Sequence, residues 1–266
     1  MQNRNLMLSR RRIDSDTWKT IEFPEKNTLF SGTYGGKDYS SSPGGNSHRT
    51  AAVGVSAIDG TIHLAYDNHY DKLNYRMSKK NIAFADDSEF TLSNFLPEQN
   101  HLATGEVLGI FTYPGFDTND AGELILNYRI GGTRRGNMMI AFYDGTGWSP
   151  NYILINGTDH IEDEQFNIYG DLKYINGKLY MGGTMRAKNS PIAFNQGIYF
   201  ADGGQQGITS WSNFTGISKS LPIGSKQEME TFKIASPLPD GHNGMTGSPS
   251  FAVTKSGAVY YYGHPK

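Results

Sequence analysis

The sequence predicts an all-β protein, a β-propeller of four-stranded antiparallel blades, on three observations. Glycine is abundant, with 32 among 266 residues, and 16 Tyr with 14 Phe supply aromatic side chains that suit pleated strands. Turn dipeptides built on Asp, Asn and Gly recur throughout, while long stretches of helical period are missing. Finally, one pattern repeats: a turn ending in Gly leads into a short strand rich in aromatic and β-branched residues.

Taken in chain order, NRNLMLSRRR and DTWKTIEF read as the third and fourth strands of a unit. TAAVGVSA, DGTIHLAYD (59–67) and KLNYRMS follow as the next three strands. EVLGIFTYP, AGELILNYR (121–129) and NMMIAFYDG come next, closed by the Trp-led GTGWSPNYILI. NIYGDLKYI, NGKLYMGGTMR (176–186), QGIYFADGG and the Trp-led ITSWSNFTG repeat the set. A turn or two of helix is expected over Ser225–Thr231, around KQEMET, before the final pair SPSFAVTK and SGAVYYYGHP (256–265).

The period, about 55–80 residues with four strands per unit, is long for a propeller but has its logic. A lone sheet cannot bury both faces, so successive blades must stack around an axis. A sandwich is the all-β alternative and does not require repeats. The expectation is one domain over residues 1–266 with both termini in incomplete blades. Either the two ends complete one blade, or the chain is an excerpt of a longer propeller; both readings stay open.

Composition narrows the function. A net charge of -2 gives no basic field for nucleic acid, so an anionic partner needs a local cluster of arginines. Without cysteine there is neither a disulfide scaffold nor a thiolate metal site. No run of about 18 apolar residues would span a membrane. The opening MQNRNLMLSRRRIDSDTW lacks the apolar stretch of a signal peptide, so read literally the chain is not exported. Oligomeric state is not indicated.

The stretch GGNSHRTAAVGVSAIDGTIHLAYDNH (44–69) holds three of the seven histidines, His48, His63 and His69. Strand ends of a propeller converge near its axis, and unusual polar residues sit at such ends. His48 and Arg49 precede TAAVGV, and His69 follows YDN. Tyr113 ends VLGIFTY, restrained by Pro114 and followed by Gly115. Arg129 ends LILNYR ahead of Gly131 and Gly132, and Tyr169 and Arg186 hold similar places one unit later. His63 alternates with Leu64 and Tyr66 and reads as a packing residue. Each of the others also has an ordinary reading: His48 as a loop residue, His69 as a hairpin cap beside Asp67 and Asn68, Arg129 as a surface ion-pair partner of Asp171, Arg134 and Arg135 as solvated loop charges.

The segment NSHRTAAVGVSAIDGTIHLAYDNHYDKLNYRMS, with FTYPGF and LNYRIGG after it, resembles the BNR-repeat-containing polysaccharide lyases, notably the β-propeller ulvan lyases. The resemblance runs from about Asn5 to Tyr262 and is most specific between His48 and Gly132. It implies a seven-bladed propeller that cleaves acidic, uronate-containing glycans by β-elimination, secreted or periplasmic. It also implies catalytic roles for His48, His69, Tyr113 and Arg129, and substrate contacts for Arg49, Tyr169 and Arg186. Family members are much longer, and this chain holds only about four repeat units.

The chemistry independently asks for these residue types. Elimination across C4–C5 of a uronate removes a proton α to a carboxylate. A guanidinium stabilises the charge that develops there without giving up its own proton. A neutral imidazole suits the base, and a phenol or a second imidazole can protonate the departing O4; sequence leaves those two roles unassigned. The reaction needs no cofactor. A structural metal ion is left open: His48, His69 and Asp67 could ligate zinc if they converged, but no metal-binding spacing supports it. Two rival functions remain. A sialidase-like glycoside hydrolase needs paired carboxylates, and Asp117, Asp120, Glu162 and Asp163 fall in apparent loops without pairing. A non-catalytic glycan-binding propeller would use aromatic rims such as Tyr260–Tyr262.

Overall fold

Hairpins joined in sequence order build every large sheet. A computed structural model of the protein describes residues 5–27, 33–34, 37–38, 51–103, 105–189, 195–235 and 245–265. Strands β1 (Asn5–Arg10) and β2 (Lys19–Asn27) pair antiparallel, as do the short β3 (Thr33–Tyr34) and β4 (Lys37–Asp38). Next come β5 (Ala51–Val55), β6 (Ile62–Tyr66), β7 (His69–Asp71) and β8 (Tyr75–Met77), then β9 (Phe111–Thr118), β10 (Leu124–Gly132), β11 (Arg135–Tyr143) and β12 (Tyr152–Ile155). The following unit is β13 (Phe166–Ile175), β14 (Lys178–Ala187), β15 (Gln196–Asp202), β16 (Ser210–Ser212) and β17 (Ser218–Ser220). After α1 (Lys226–Glu230) and β18 (Lys233–Ala235), β19 (Met245–Val253) and β20 (Val259–Pro265) form the last pair.

The sheet orders are β5-β6-β8, β12-β11-β10-β9-β7, β13-β14-β15-β16-β17 with β18 on β15, and two-stranded pairs elsewhere. The expected four-stranded meanders are present, but two sheets are larger than four strands, because β7 adds to the edge of β9 and β17 and β18 extend the other. Two boundaries also differ from expectation. β9 begins at Phe111, so Glu106–Gly109 is not strand. Trp148 stays outside β12 and bridges only to Tyr143.

Turn chemistry explains the punctuation. The Asn176-Gly177 hairpin has φ of 52° and 79°, the paired positive values of a tight β-hairpin turn. Elsewhere Asx side chains take the turn's backbone donors. Asp144 Oδ1 accepts from the amides of Thr146 and Gly147 at 2.8 and 3.0 Å. Those bonds, led by one from the Thr146 hydroxyl, pull its carboxyl down to about 2. Asn213 Oδ1 does the same for Thr215 and Ile217. The expected helix forms because Ser225 caps it, its Oγ accepting from the Glu228 amide at 3.1 Å.

Apolar side chains fill the space between successive sheets. Ile125 and Ile140 of one sheet meet Ile168, Leu172 and Met181 of the next, around the buried Trp211 and Phe232. Leu126, Tyr128 and Phe111 cluster with Ala65 and Tyr75, and Phe23 with Ile62, Leu64 and Phe95. A polar chain crosses the second of these seams. Thr61 donates its hydroxyl to Asp59 Oδ1 at 2.7 Å and therefore accepts from His63 Nε2, also at 2.7 Å. His63 Nδ1 must then accept from the Tyr75 hydroxyl at 2.6 Å, and that oxygen accepts from Trp148 Nε1 at 2.9 Å. Every proton direction is fixed, and His63 is the neutral Nε2–H tautomer. It is fully buried, and burial lowers its pKa to about 4.

Candidate active site

Tyr113 is placed by a β-bulge. Opposite β10, the register runs Asn127↔Gly115 and then Arg129↔Thr112, so Tyr113 and Pro114 face the single residue Tyr128. Tyr113 holds φ of 56°, a left-handed conformation costly for an aromatic residue. Asn127 secures the bulge, its Nδ2 donating to Gly115 O at 3.1 Å. Tyr113 therefore lies inside its strand instead of ending it, because the proline tolerated at a bulge lets pairing resume beyond it. Arg129 likewise does not end β10, which continues through Gly132.

The bulge turns the phenol toward Arg129. The Arg129 Cζ lies 5.0 Å from the Tyr113 ring centroid and 5.5 Å from that of Tyr169. The two rings are 6.3 Å apart and tilted by 56°, so the guanidinium abuts both of them. Arg129 is only 6 % exposed, yet its Nε and Nη1 have no hydrogen-bond partner among the described residues. The expectation of a surface ion pair with Asp171 fails: Arg129 is buried, and Asp171 instead has Lys173 at 3.8 Å. A small cavity of about 40 Å³ is bounded by Tyr113, Arg129, Tyr169 and Gly170.

The next sheet completes the cluster. Arg186 Nη1 donates to the Tyr169 hydroxyl at 3.2 Å, and its Cζ stacks 4.3 Å from that ring. Thr133 Oγ1 meets the same hydroxyl at 2.7 Å. Arg186 Nε donates to Asn195 Oδ1 at 2.7 Å, and Asn195 Nδ2 donates to Thr184 Oγ1 at 2.9 Å. Burial holds Arg186 below the ordinary guanidinium range; the phenols of Tyr169 and Tyr113 oppose this, and the charges of Arg134 and Arg129 add to it. Burial likewise raises Tyr113 above the usual phenol range, with Arg129 pulling the other way.

His69 reaches the cluster from β7, which leaves the β6 hairpin and joins β9, with His69 opposite Thr112. Its ring centroid is 5.8 Å from that of Tyr113. Thus His69, Tyr113, Arg129, Tyr169 and Arg186 come together. His48 and Arg49 lie outside the described residues. Arg135 is exposed as expected, whereas Arg134 is part-buried, with a buried Nε that has no partner among the described residues. Thr133, Asn167 and Asn195 were not foreseen: single polar residues in GGTRRG, FNIYG and FNQG carry no spacing signal.

The hydrolase reading finds less support. Asp117 is occupied by backbone, its Oδ2 accepting from the Tyr174 amide at 2.6 Å, and Glu162 pairs with Lys188 at 2.8 Å. Among the described residues no group of three His, Asp or Glu could hold a metal, and no helix is long and apolar enough to cross a membrane. A larger groove of about 660 Å³ lies at the opposite end of β14, beside Tyr180 and Phe214. Its charged groups pair with each other, Lys178 with Asp202 at 2.8 Å, and Asn213 caps its own turn. The small arginine-lined cavity is therefore the better candidate despite its size.

The model of the family described as BNR repeat-containing matches residues 1–265. The short isoform of ulvan lyase from Alteromonas sp. (strain LOR) is 29% identical over 307 residues, covering 99% of this chain and 56% of its own. The long isoform from the same organism is 30% identical over 265 residues, covering 86% and 26% respectively. The crystal structure of polysaccharide lyase Uly1 matches with a TM-score of 0.77 and 25% identity, over 97% of this chain and 60% of that one. A polysaccharide lyase structure described as PL25-Ulvanlyase shares the fold, with a TM-score of 0.60 at 12% identity over 81% and 50%. The stacked antiparallel meanders are accordingly of the propeller type. The chain spans 56% of the short ulvan lyase and 26% of the long one.

Proposed function

The chain belongs to the BNR repeat-containing family, and on that premise we propose that it is a polysaccharide lyase cleaving an anionic, uronate-containing glycan of ulvan type by β-elimination. One observation carries the reading: a buried guanidinium, Arg129, against two phenol rings, whose donor nitrogens Nε and Nη1 have no hydrogen-bond partner among the described residues. A buried charge without a counter-ion is costly, and a substrate carboxylate would relieve it.

In this reading Arg129 receives the uronate carboxylate and stabilises the enolate-like charge as the C5 proton leaves. The phenol of Tyr113, kept protonated by burial, is the donor to the departing O4. His69 and His48 serve the C5 proton, His69 from its place beside Tyr113. Tyr169 and Arg186, joined by hydrogen bond, form the wall that orients the sugar, with Arg49 as a further contact. General acid–base steps contribute about 10²–10⁴-fold each, so the arginine's preorganised field carries much of the remainder.

The test is optical. Elimination leaves a C4=C5 double bond conjugated to the carboxylate, which absorbs in the ultraviolet. Incubation with ulvan and with other uronate glycans should produce that absorbance. Reducing ends without it would mean hydrolysis, binding without either would mean a lectin-like module, and both outcomes reject the proposal.

A further inference from the structure

The proposed catalysis leaves the groove of about 660 Å³ at the far end of β14 without a use. Strands β14, β15 and β16 form one wall through Tyr180, Phe200 and Ser210, and the β19–β20 hairpin forms the other through Val253 and Val259. The volume falls within the roughly 300–1,000 Å³ of small-molecule sites. Tyr180 and Arg186 both lie on β14. At about 3.3 Å per residue, the groove opens roughly 20 Å from the arginine cluster.

The walls combine rings with hydroxyls. Phe214 lines the groove yet is 69 % exposed, and Tyr180 stacks on Phe200 at 5.5 Å and 21°. Solvent-facing rings beside a concave surface mark a place where something docks. Thr209 and Ser210, both exposed, set hydroxyls beside them. Val253 pairs with Val259 across the hairpin, and Phe251 with Tyr261 lies two residues along on the same face. There the Tyr261 hydroxyl is buried without a hydrogen-bond partner among the described residues. Charge separates this groove from the arginine cluster. Lys178 pairs with Asp202 at 2.8 Å, and Asp202 also accepts from the Gly204 amide at 2.8 Å. Among the described lining residues no cation is left over for a carboxylate, and Asp202 would repel one.

We propose that this groove is a second, non-catalytic binding site that takes a neutral sugar of the glycan chain and holds the polymer while the distant cluster acts on its uronate. An uncharged sugar ring fits the chemistry of the walls. Its C–H face is apolar and suits the rings of Phe214 and Tyr180, while the hydroxyls at its edge match Thr209 and Ser210 as donors and acceptors. The proposal rests on the lyase reading for the identity of the polymer. Binding two places on one chain raises the effective concentration of the second, so the groove lowers KM for long chains without touching the chemical step.

Three substitutions test it. Phe214→Ala removes the exposed ring, Tyr180→Leu removes the second ring but keeps apolar packing on Phe200, and Phe214→Trp keeps an aromatic face. The binding probe is a hexasaccharide of a uronate glycan with its carboxylates reduced to alcohols and any sulfate esters removed, titrated by calorimetry. The unaltered protein and Phe214→Trp should bind it. Phe214→Ala and Tyr180→Leu should bind it about tenfold more weakly, the loss expected for one aromatic contact. On the charged polymer those two variants should raise KM about tenfold at unchanged kcat. A charged tetrasaccharide, too short to occupy both places, should keep its KM. No binding of the neutral probe, equal affinity in every variant, or an unchanged polymer KM overturns the site. A dimer that Phe214→Ala dissolves in sedimentation also overturns it, in favour of contact between copies of this chain. If the neutral probe binds in the expected pattern but no glycan yields unsaturated product, the lyase reading fails and the neutral-sugar site stands.

Discussion

Acid should loosen the seam between the β5-β6-β8 sheet and its neighbour, and His63 sets the amount. This imidazole is buried as the neutral Nε2–H tautomer, donating to Thr61 and accepting from Tyr75. Protonation would put a second hydrogen on Nδ1, where the Tyr75 hydroxyl already points its own, while that oxygen is occupied by Trp148. The folded-state value is accordingly lowered from 6.5 to about 4. A depressed histidine pKa means that the unfolded chain binds the proton first. Stability contributed by neutral His63 is complete above pH 6.5 and is lost as pH falls toward 4. At about 1.4 kcal/mol per pH unit, the interval corresponds to roughly 3 kcal/mol. Denaturant unfolding of the unaltered protein and of His63→Gln, at several pH values across that window, measures it. The glutamine amide also offers one donor and one acceptor but does not titrate, so the difference in pH slope isolates the imidazole. The unaltered protein should lose roughly 3 kcal/mol more than the variant on acidification. Parallel slopes, or a His63 ring that titrates near pH 6.5 by NMR, would refute the assigned proton directions.

Other consequences can be measured directly. Arg129→Met removes the partly unpaired buried cation at similar length; turnover should fall about 10²–10³-fold with no loss of thermal stability, and retained turnover would contradict its role. Tyr113→Phe should cost about 10²–10⁴-fold in kcat and abolish an alkaline limb that lies above the ordinary phenol range, which a pH–rate profile would reveal. A Cβ added to Gly136 would lie 2.9 Å from Arg129 Cδ and 3.0 Å from Gly132 O. Gly136→Ala should therefore destabilise by about 1–3 kcal/mol and depress turnover through displaced Arg129, seen as a lower kcat in a folded variant. Tyr75→Phe leaves His63 Nδ1 and Trp148 Nε1 without their shared partner, and a denaturation midpoint should report a loss of about 1–3 kcal/mol for each stranded group.

Local order was legible in the sequence to the extent that it depends on near neighbours. Short runs of aromatic and β-branched residues after Gly-ended turns located the strands of the β9–β12 and β13–β16 meanders. Asp, Asn and Gly marked their turns because Asx side chains satisfy donors only two to four residues away. The Ser225 cap is equally local. Boundaries failed where a distant partner intervened. His69 reads as the end of one hairpin but pairs with Thr112 in another sheet, and Trp148 reads as a strand residue but spends its indole on Tyr75.

The sequence by itself determined an all-β chain of repeated meanders and set histidine, tyrosine and arginine at strand positions suited to acid–base work on an anionic sugar. Only the tertiary structure decided that Tyr113 turns through a bulge onto Arg129, that Arg129 is buried instead of solvated, and that Arg134 and Asn167 meet across two sheets. The reason is physical: alternation specifies which face a side chain takes. Burial of a charge and the approach of donors from strands tens of residues apart depend on how those faces stack.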